Sequence, residues 1–421
     1  MNILRISVVA IICLTGSALS TQAQTDTLRI DFKEAENLFL KNNLSLLAQK
    51  YNVEATKALT DQAKYWDNPT LSTDQNIHDG NGKFFDHSNG NGQIYAQLTQ
   101  LFKTAGKRGK EIQVAKDDAR IQQAEFNDLL RNLHYNLQLD FAQLANLIQQ
   151  SKVYTTEISS VNNLISGVSK SYGVGNSSLK DVIRLKALLY SLENDLTENN
   201  RQLNDLQSQL KTLLATNPTV YIIPKVEVNI IDVDLNTSNL IEAAKTNRGD
   251  YLSAQYQYDQ AGHKLALQKA QAIPDVTVGV EYDKNSSYAP NYWGLTIGLP
   301  LPLFNRNQGN IKSAKSTIQS LQSTYKNSEL QLQNDVVSAI NQYKLSQQML
   351  SANQIDFYQQ YDQLFDNMFK AYKERQISLV EFIDFFDSYK DTKLKVIGQQ
   401  YNLQKAIADL NFSVGATIIH P

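Results

Sequence analysis

The sequence predicts a mostly helical chain with a small β part, built as two copies of a unit in which a strand hairpin precedes a very long helix. The stretch around Pro69 is matched by the stretch around Pro274, about 205 positions later. A turn motif at 172–183 is matched at 372–383, about 200 positions later. A repeat of this length indicates a duplicated domain rather than a solenoid unit.

Composition and the N-terminal residues point to an exported protein. The chain has 421 residues and a formal net charge of -2, whereas a nucleic-acid-binding protein needs a basic face. Residues 1–23 have the pattern of a secretory signal, with Arg5 before an apolar stretch and a small-residue cleavage site ending at Ala23. A short membrane anchor is the alternative. The only cysteine, Cys13, lies inside this segment and lacks the small preceding residues of a lipoprotein signal.

Four strands are predicted, at 70–77, 93–102, 275–283 and 291–302. In the last of them, Trp293, Leu295 and Ile297 alternate with small or polar residues. This alternation fits a barrel with lipid outside and water inside, and we expect these three side chains to face lipid. A half-buried hairpin in a soluble domain gives the same pattern, so the strands alone leave both architectures open.

The remaining segments predict long helices. A helical pattern covers 28–64, with Asp31 as the candidate N-cap and Glu34 three residues on at the capping-box spacing. Proline-free segments at 105–172 and 309–372 predict two helices of about 100 Å each, which implies a coiled coil or a helical tube. Leucines from Val182 to Leu213 keep a heptad spacing with Asn199 in the one polar position. The counterpart seam in the second half is broken by Lys393 and Gln400. Residues 217–236 read as an irregular, strand-containing bridge.

The order of these segments resembles that of the TolC-type outer-membrane efflux channels over essentially the whole mature chain. The most specific marks are Tyr172-x-x-Gly175-x-x-Ser178-x-x-Asp181-Val-Ile183 and Tyr372-x-x-Arg375-x-x-Ser378-x-x-Glu381-Phe-Ile383. The second motif has Arg375 where the family usually has glycine. The stretch 299–311, Leu-Pro-Leu-Pro-Leu-Phe-Asn-Arg-Asn-Gln-Gly-Asn-Ile, is similar to the CzcC-like heavy-metal branch.

The resemblance implies a homotrimer in the outer membrane that extends into the periplasm. Each subunit would give four strands to a 12-stranded β-barrel, continued by an α-helical coiled-coil barrel. Physical reasoning agrees, because four strands cannot close a barrel alone and open edges in lipid are prohibitive. The predicted divisions are a signal peptide (1–23), a first repeat (24–216), a bridge (217–236), a second repeat (237–416) and a C-terminal tail (417–421).

The resemblance also implies two functional sites near the turns. A periplasmic gate is assigned to Tyr372, Asp181, Glu381 and Asp384. The family's gate arginine aligns with Ile377, so that contact is missing or is supplied by Arg375. The alternative is that the carboxylates are ordinary charges at helix N-termini. The second site would dock a periplasmic adaptor through the tip residues Gly173, Gly175, Ser178, Arg375 and Ser378.

No motif predicts an enzyme, because the sequence has no GxSxG, Walker loop, HExxH or CxxC. His78 and His87 share a loop with two aspartates, and we interpret that loop as solvated, with no metal site and no cofactor. The function predicted is the exit duct of a tripartite efflux system, with an inner-membrane pump of the RND type and a periplasmic adaptor. The alternative is a soluble periplasmic coiled-coil adaptor or scaffold.

Overall fold

The structure is a computed structural model that describes residues 26–78, 83–87, 92–225, 235–350 and 352–420. The first half contains β1 (Thr27–Asp31), α1 (Phe32–Asn42), α2 (Leu44–Gln62), β2 (Thr70–Gln75), β3 (Ile94–Phe102), α3 (Lys107–Gly173) and α4 (Leu179–Leu214). The second half contains β4 (Tyr221–Lys225), α5 (Thr237–Asn247), α6 (Gly249–Gln271), β5 (Val276–Asn285), β6 (Pro290–Gly298), α7 (Gln308–Met349), α8 (Ala352–Lys373) and α9 (Leu379–Val414). The predicted signal and the apolar run 226–231 of the bridge lie outside the described residues.

The hairpins of the two halves lie side by side in one antiparallel sheet. Its strand order is β2-β3-β5-β6, so all four predicted strands are confirmed. β6 ends at Gly298 rather than at residue 302, because Pro300 and Pro302 have no N–H to give to a strand ladder. Within the described chain, the outer edges of β2 and β6 pair with no further strand.

The two faces of this sheet differ in chemistry. One face carries a row of exposed aliphatic side chains in register across all four strands: Leu71, Leu98, Val280 and Leu295. The opposite face carries a polar network, in which the Glu281 carboxylate accepts hydrogen bonds from the Tyr95 hydroxyl (2.9 Å) and the Gln97 side chain (3.2 Å). The alternation predicted in β5 and β6 is therefore present and continues into β3.

Helix α3 is the longest helix, and several other helices pack against it. It has 67 residues and is about 100 Å long, as predicted. Helices α2, α4, α6 and α9 all contact it. The heptad of α4 is confirmed, since Leu185, Leu192 and Leu210 are buried and the Asn199 side chain donates to the Leu147 carbonyl at 3.1 Å. No helix in the described ranges has both the length and the hydropathy needed to cross a membrane.

The helix predicted over 28–64 is wrong at its start and interrupted in its middle. Residues 27–31 form β1, which pairs in parallel with β4 and buries Ile30. The predicted cap is confirmed, because Asp31 and Glu34 form a capping box at the start of α1. Asn43 then breaks the helix, and its side chain caps α2 through the Leu46 N–H at 3.0 Å.

The second long helix is also not continuous. The prediction of a single helix over 309–372 is wrong, since α7 has 42 residues and α8 has 22. The Leu350 N–H donates to the Gln347 carbonyl, three residues back, which tightens the last turn of α7. The Leu350 side chain is buried in the cluster that contains Tyr343 and Leu403. Packing, rather than a proline, therefore ends this helix.

Candidate functional site at the helical tips

The first tip, between α3 and α4, reverses the chain through a Schellman motif. The Gly175 N–H donates to the Tyr172 carbonyl at 2.9 Å, and the Asn176 N–H donates to the Ser171 carbonyl at 2.8 Å. This pair of bonds places one residue in the left-handed conformation. That residue is Gly175, with φ +76°. Gly173 is the last residue of α3, and a side chain at either glycine would meet open space among the described residues.

The second tip, between α8 and α9, has the same turn with a different residue at its centre. The Arg375 N–H donates to the Tyr372 carbonyl at 3.0 Å, and the Gln376 N–H donates to the Ala371 carbonyl at 2.8 Å. Arg375 adopts φ +63°, where a residue with a Cβ pays a steric penalty that glycine avoids. The two tips therefore have the same left-handed backbone at this position, although one has glycine there and the other arginine.

Both tips begin the next helix with a serine cap. The Ser178 hydroxyl accepts from the Asp181 N–H at 3.2 Å, and the Ser378 hydroxyl accepts from the Glu381 N–H at 3.3 Å. At the second tip the Glu381 carboxylate also accepts from the Ser378 N–H at 2.8 Å, which completes a capping box. The Ser-x-x-acid spacing of both motifs is thus used locally to start α4 and α9.

Two of the predicted gate residues, Tyr372 and Asp181, interact electrostatically across the tips. Tyr372 is half-buried and its ring stacks on Phe382, with centroids 5.0 Å apart and planes 24° from parallel. Burial raises the pKa of the Tyr372 hydroxyl, and the nearby charge of Asp181 raises it further. A residue of the second repeat and one of the first are therefore brought together at this end of the molecule.

The other two predicted gate residues are placed differently. Hydrogen bonds from Ser378 hold the pKa of the Glu381 carboxyl below its ordinary value. This is the geometry expected of a helix N-terminal charge, the alternative interpretation of these acids. Asp384 lies exposed one turn further along α9, where its charge adds to burial in raising the pKa of Asp387. The gate assignment stays a prediction.

A contact between the tips involves Arg375. Its guanidinium donates to the Ser171 hydroxyl at 3.2 Å, and the Ser177 hydroxyl donates to the same oxygen at 2.7 Å. Ile377, which aligns with the family's gate arginine, instead packs on the apolar cluster behind the tips. In this chain Arg375 thus joins the second tip to the first.

A buried carboxylate that the sequence analysis missed lies higher in the same bundle. Glu157 is 3% exposed, and neither carboxylate oxygen has a hydrogen-bond partner among the described residues. Burial raises the pKa of Glu157 to about 8; Lys390 lowers it, and Asp387, Asp195 and Asp391 raise it. The signal was available, because Glu157 falls on the 3-4-3 spacing of the buried or half-buried positions 154, 157, 161 and 164.

The predicted lipid-facing residues share one exposed surface. Trp293, Leu295 and Ile297 are each about 70% exposed on β6, and they lie on the same face as the aliphatic row of the sheet. Across the described parts of the chain, no three His, Cys, Asp or Glu side chains converge as a metal ion would require.

Comparison with known proteins identifies the family. The outer membrane efflux protein family matches residues 37–216 and 240–416. The chain belongs to this family. It is also 19% identical over 317 residues to the cobalt-zinc-cadmium resistance protein CzcC of Cupriavidus metallidurans, covering 75% of this chain and 73% of that protein.

Solved structures share the fold. The chain resembles CusC (TM-score 0.75, 17% identity, 93% of this chain and 94% of that one) and the Campylobacter jejuni CmeC outer membrane channel (0.76, 16%, 92% and 86%). It also resembles the open state of the Neisseria gonorrhoeae MtrE outer membrane channel (0.68, 16%, 92% and 89%). The fold is that of the outer-membrane channels, a barrel continued by a helical tunnel.

Family and fold together fix the general role. The protein is an outer-membrane efflux protein that extends into the periplasm and serves as the exit duct of a tripartite system. Its family and fold neighbours are channels, not enzymes. The soluble adaptor considered as an alternative does not fit this family.

Proposed function

We propose that three copies of this chain close into one duct, with four strands from each copy forming a 12-stranded barrel. One observation carries the proposal: a four-stranded sheet whose two outer edges are unpaired within the described chain, with an exposed apolar face and a polar face. Lipid cannot hydrogen-bond to open strand edges, so closure by neighbouring copies satisfies the backbone. The apolar row and Trp293, Leu295 and Ile297 then face lipid, and the Glu281 network lines the lumen.

The duct receives its substrate from partners at the opposite end. The tips around Gly173, Gly175, Ser178, Arg375 and Ser378 meet a periplasmic adaptor, which links the trimer to an inner-membrane pump of the RND type. Small residues at the first tip support this, because a side chain added at Gly173 or Gly175 would meet open space where a partner helix can approach closely. The duct itself is passive, performs no catalysis and needs no cofactor.

The resting gate lies just inside these tips. Asp181 and Tyr372 interact electrostatically there, and Glu381 and Asp384 add two carboxylates on the first turns of α9. In a trimer each acid occurs three times around a narrow bore, which concentrates cations. The resting pore therefore prefers cations and is blocked by polyvalent ones. This agrees with, but does not require, divalent metal ions as substrates.

The test uses the protein purified from outer membranes in detergent. We expect the mass of a trimer, heat-modifiable migration on a gel, and conductance in planar bilayers that polyvalent cations block. Changing Glu381 and Asp384 together to Ala should weaken the block, while changing the exposed Glu193 of α4 to Ala should not. A monomeric protein that forms no pore would overturn the duct. A trimer whose block survives the double change would overturn only the gate.

A further inference from the structure

Where the sheet meets the helices, one junction is formed entirely by residues of the same chain. Residues 103–107, which follow β3, dock on residues 273–275, which precede β5. The Thr104 N–H donates to the Asp275 carboxylate at 2.8 Å and its hydroxyl donates to the Pro274 carbonyl at 2.6 Å. Lys107 binds the same carboxylate at 2.7 Å and the Ile273 carbonyl at 2.6 Å. The segment that leads from β3 down to the helices is thus hydrogen-bonded to the segment that leads up into the neighbouring strand, β5. We call these the descending and the entering segment.

The duplicated counterpart of the descending segment has no such partner within the described chain. It follows β6 and is longer, covering 299–306. In both repeats the helix that follows is capped by a residue with positive φ, Gly106 (φ +67°) in the first and Asn307 (φ +57°) in the second. The second segment is apolar, and its large side chains project into open space, with Leu301 70% and Phe304 91% exposed. Leu299 and Leu303 are exposed as well.

The counterpart of the entering segment is also uncovered. It covers residues 68–70, which are exposed, and Tyr65 and Trp66 just before it are 69% and 60% exposed. The Arg108 guanidinium lies 4.4 Å from the centre of the Trp66 ring and so covers one face only. The chain therefore carries an exposed apolar segment after its last strand of the sheet and two exposed aromatic side chains before its first strand, although Asp67 beside them pairs with Lys103 at 3.5 Å.

Strand direction brings these two segments together in an assembly. The strands alternate in direction in the order β2-β3-β5-β6, so β6 runs opposite to β2. If β6 of one copy pairs with β2 of the next, the residues after Gly298 lie beside the residues before Thr70, just as 103–107 lie beside 273–275 within the chain. The same junction is then made between copies, with apolar contacts in place of the partly buried pair of Lys107 and Asp275.

We propose that residues 299–304 of one copy pack against Tyr65 and Trp66 of the adjacent copy, forming an apolar clasp where the barrel meets the helical tunnel. The inference rests on the trimer of the proposed function. Its occupant is a second copy of this chain rather than lipid, because the partnered junction within the chain supplies the template. The exposed leucines and Phe304 give the contact its apolar surface, and Trp66 offers the free face of its ring.

Cysteine cross-linking tests this clasp. In a Cys13→Ser background, chains carrying only Trp66→Cys are coexpressed with tagged chains carrying only Leu301→Cys, Leu303→Cys or Phe304→Cys. A short bismaleimide should convert a large part of the monomer into mixed dimers. Replacing Trp66→Cys by Tyr190→Cys, an exposed site on α4, should give none.

The outcomes separate this inference from the one on which it rests. Cross-linked mixed dimers within a trimer support the clasp. A trimer without cross-links overturns it and leaves the duct intact, and quenching of Trp66 fluorescence by brominated lipid in a Trp293→Phe variant would then identify lipid as the occupant. Absence of the trimer by mass measurement overturns the proposed function itself.

Discussion

The two helical tips share one backbone and differ in what they carry. Both use the same turn and the same serine cap, yet the first is centred on Gly175 and the second on Arg375. Behind the caps, the first tip buries Val182 where the second buries Phe382, which stacks with Tyr372. Duplication has thus kept the hydrogen-bonding geometry and changed the side chains. The second tip has gained aromatic packing and a guanidinium that reaches across to Ser171.

The long helices that lead to the tips also differ between the two repeats. Helix α3 of the first repeat runs without a break, while its counterpart is divided between α7 and α8. The second tip is held by aromatic packing between α8 and α9, through Phe369, Tyr372 and Phe382.

The largest expected effect tests this packing directly. Phe382→Ala removes a fully buried ring that contacts Phe369, Tyr372 and Phe386, and should destabilise the second tip by about 3–5 kcal/mol. Val182→Ala at the matched position should cost on the order of 2 kcal/mol, because it removes only two methyl groups. Hydrogen exchange of amides in α9 and α4 measures both. Equal protection losses would contradict the difference drawn between the tips.

A second prediction compares the repeats within the sheet. Leu98 of β3 and Leu295 of β6 lie in the same row of the apolar face. If this row lies near the bilayer midplane, Leu295→Arg and Leu98→Arg should each cost roughly 2–4 kcal/mol. Thr296→Arg, on the opposite face beside Gln97, is the control and should be tolerated. Unfolding in lipid vesicles gives the free energies, and a neutral Leu295→Arg would argue against lipid exposure.

The sequence predicted most of the fold, and the failures share a physical cause. Strand alternation, the heptad of α4 and the Asp31 capping box are local patterns, and each was read correctly. The helices predicted over 28–64 and 309–372 were wrong where distant packing matters, at Ile30, which pairs with β4, and at Leu350, which packs among residues of α9. At the site, the motifs predicted the tips, and Ser378-x-x-Glu381 already has the spacing of a capping box, which matches the alternative interpretation of this acid as a helix N-terminal charge. For Glu157 the 3-4-3 spacing indicated burial, but the charges that surround it lie on other helices and are not evident from local sequence.

The third prediction concerns the place where the repeats meet, Glu157 of α3 facing α4 and α9. Its facing groups are Tyr154 on its own helix, Asp195 on α4, and Asp387, Tyr389, Lys390 and Asp391 on α9. The folded-state pKa of about 8 lies above the ordinary 4.5, so the folded state holds the proton more tightly. The stabilisation is full below pH 4.5 and is lost as pH rises through about 8.

The measurement is the stability of the trimer between pH 5 and 9. Glu157→Gln should flatten the decline between pH 5 and 8, because the amide cannot ionise. Glu193→Gln, an exposed glutamate of α4, should leave the profile unchanged. An identical decline in the Glu157→Gln variant would assign the pH dependence to other groups.

The smallest expected effect exchanges the residues at the centre of the turns. Arg375→Gly relieves a left-handed conformation that costs roughly 1–2 kcal/mol for a residue with a Cβ. It also loosens the unfolded chain, by about 0.4–1 kcal/mol, and removes the bond to Ser171. We therefore expect tip stability to change by less than about 1 kcal/mol. Gly175→Ala introduces a left-handed cost of about 1–2 kcal/mol at φ +76° and gains about 0.4–1 kcal/mol from the stiffer unfolded chain, so it should destabilise the first tip by about 1 kcal/mol. Hydrogen exchange at the two turns compares the variants.

If Arg375→Gly destabilises its tip more than Gly175→Ala does, the guanidinium contact with Ser171 dominates the second tip. Resting conductance should then rise in the same variant, because that contact holds the two tips together.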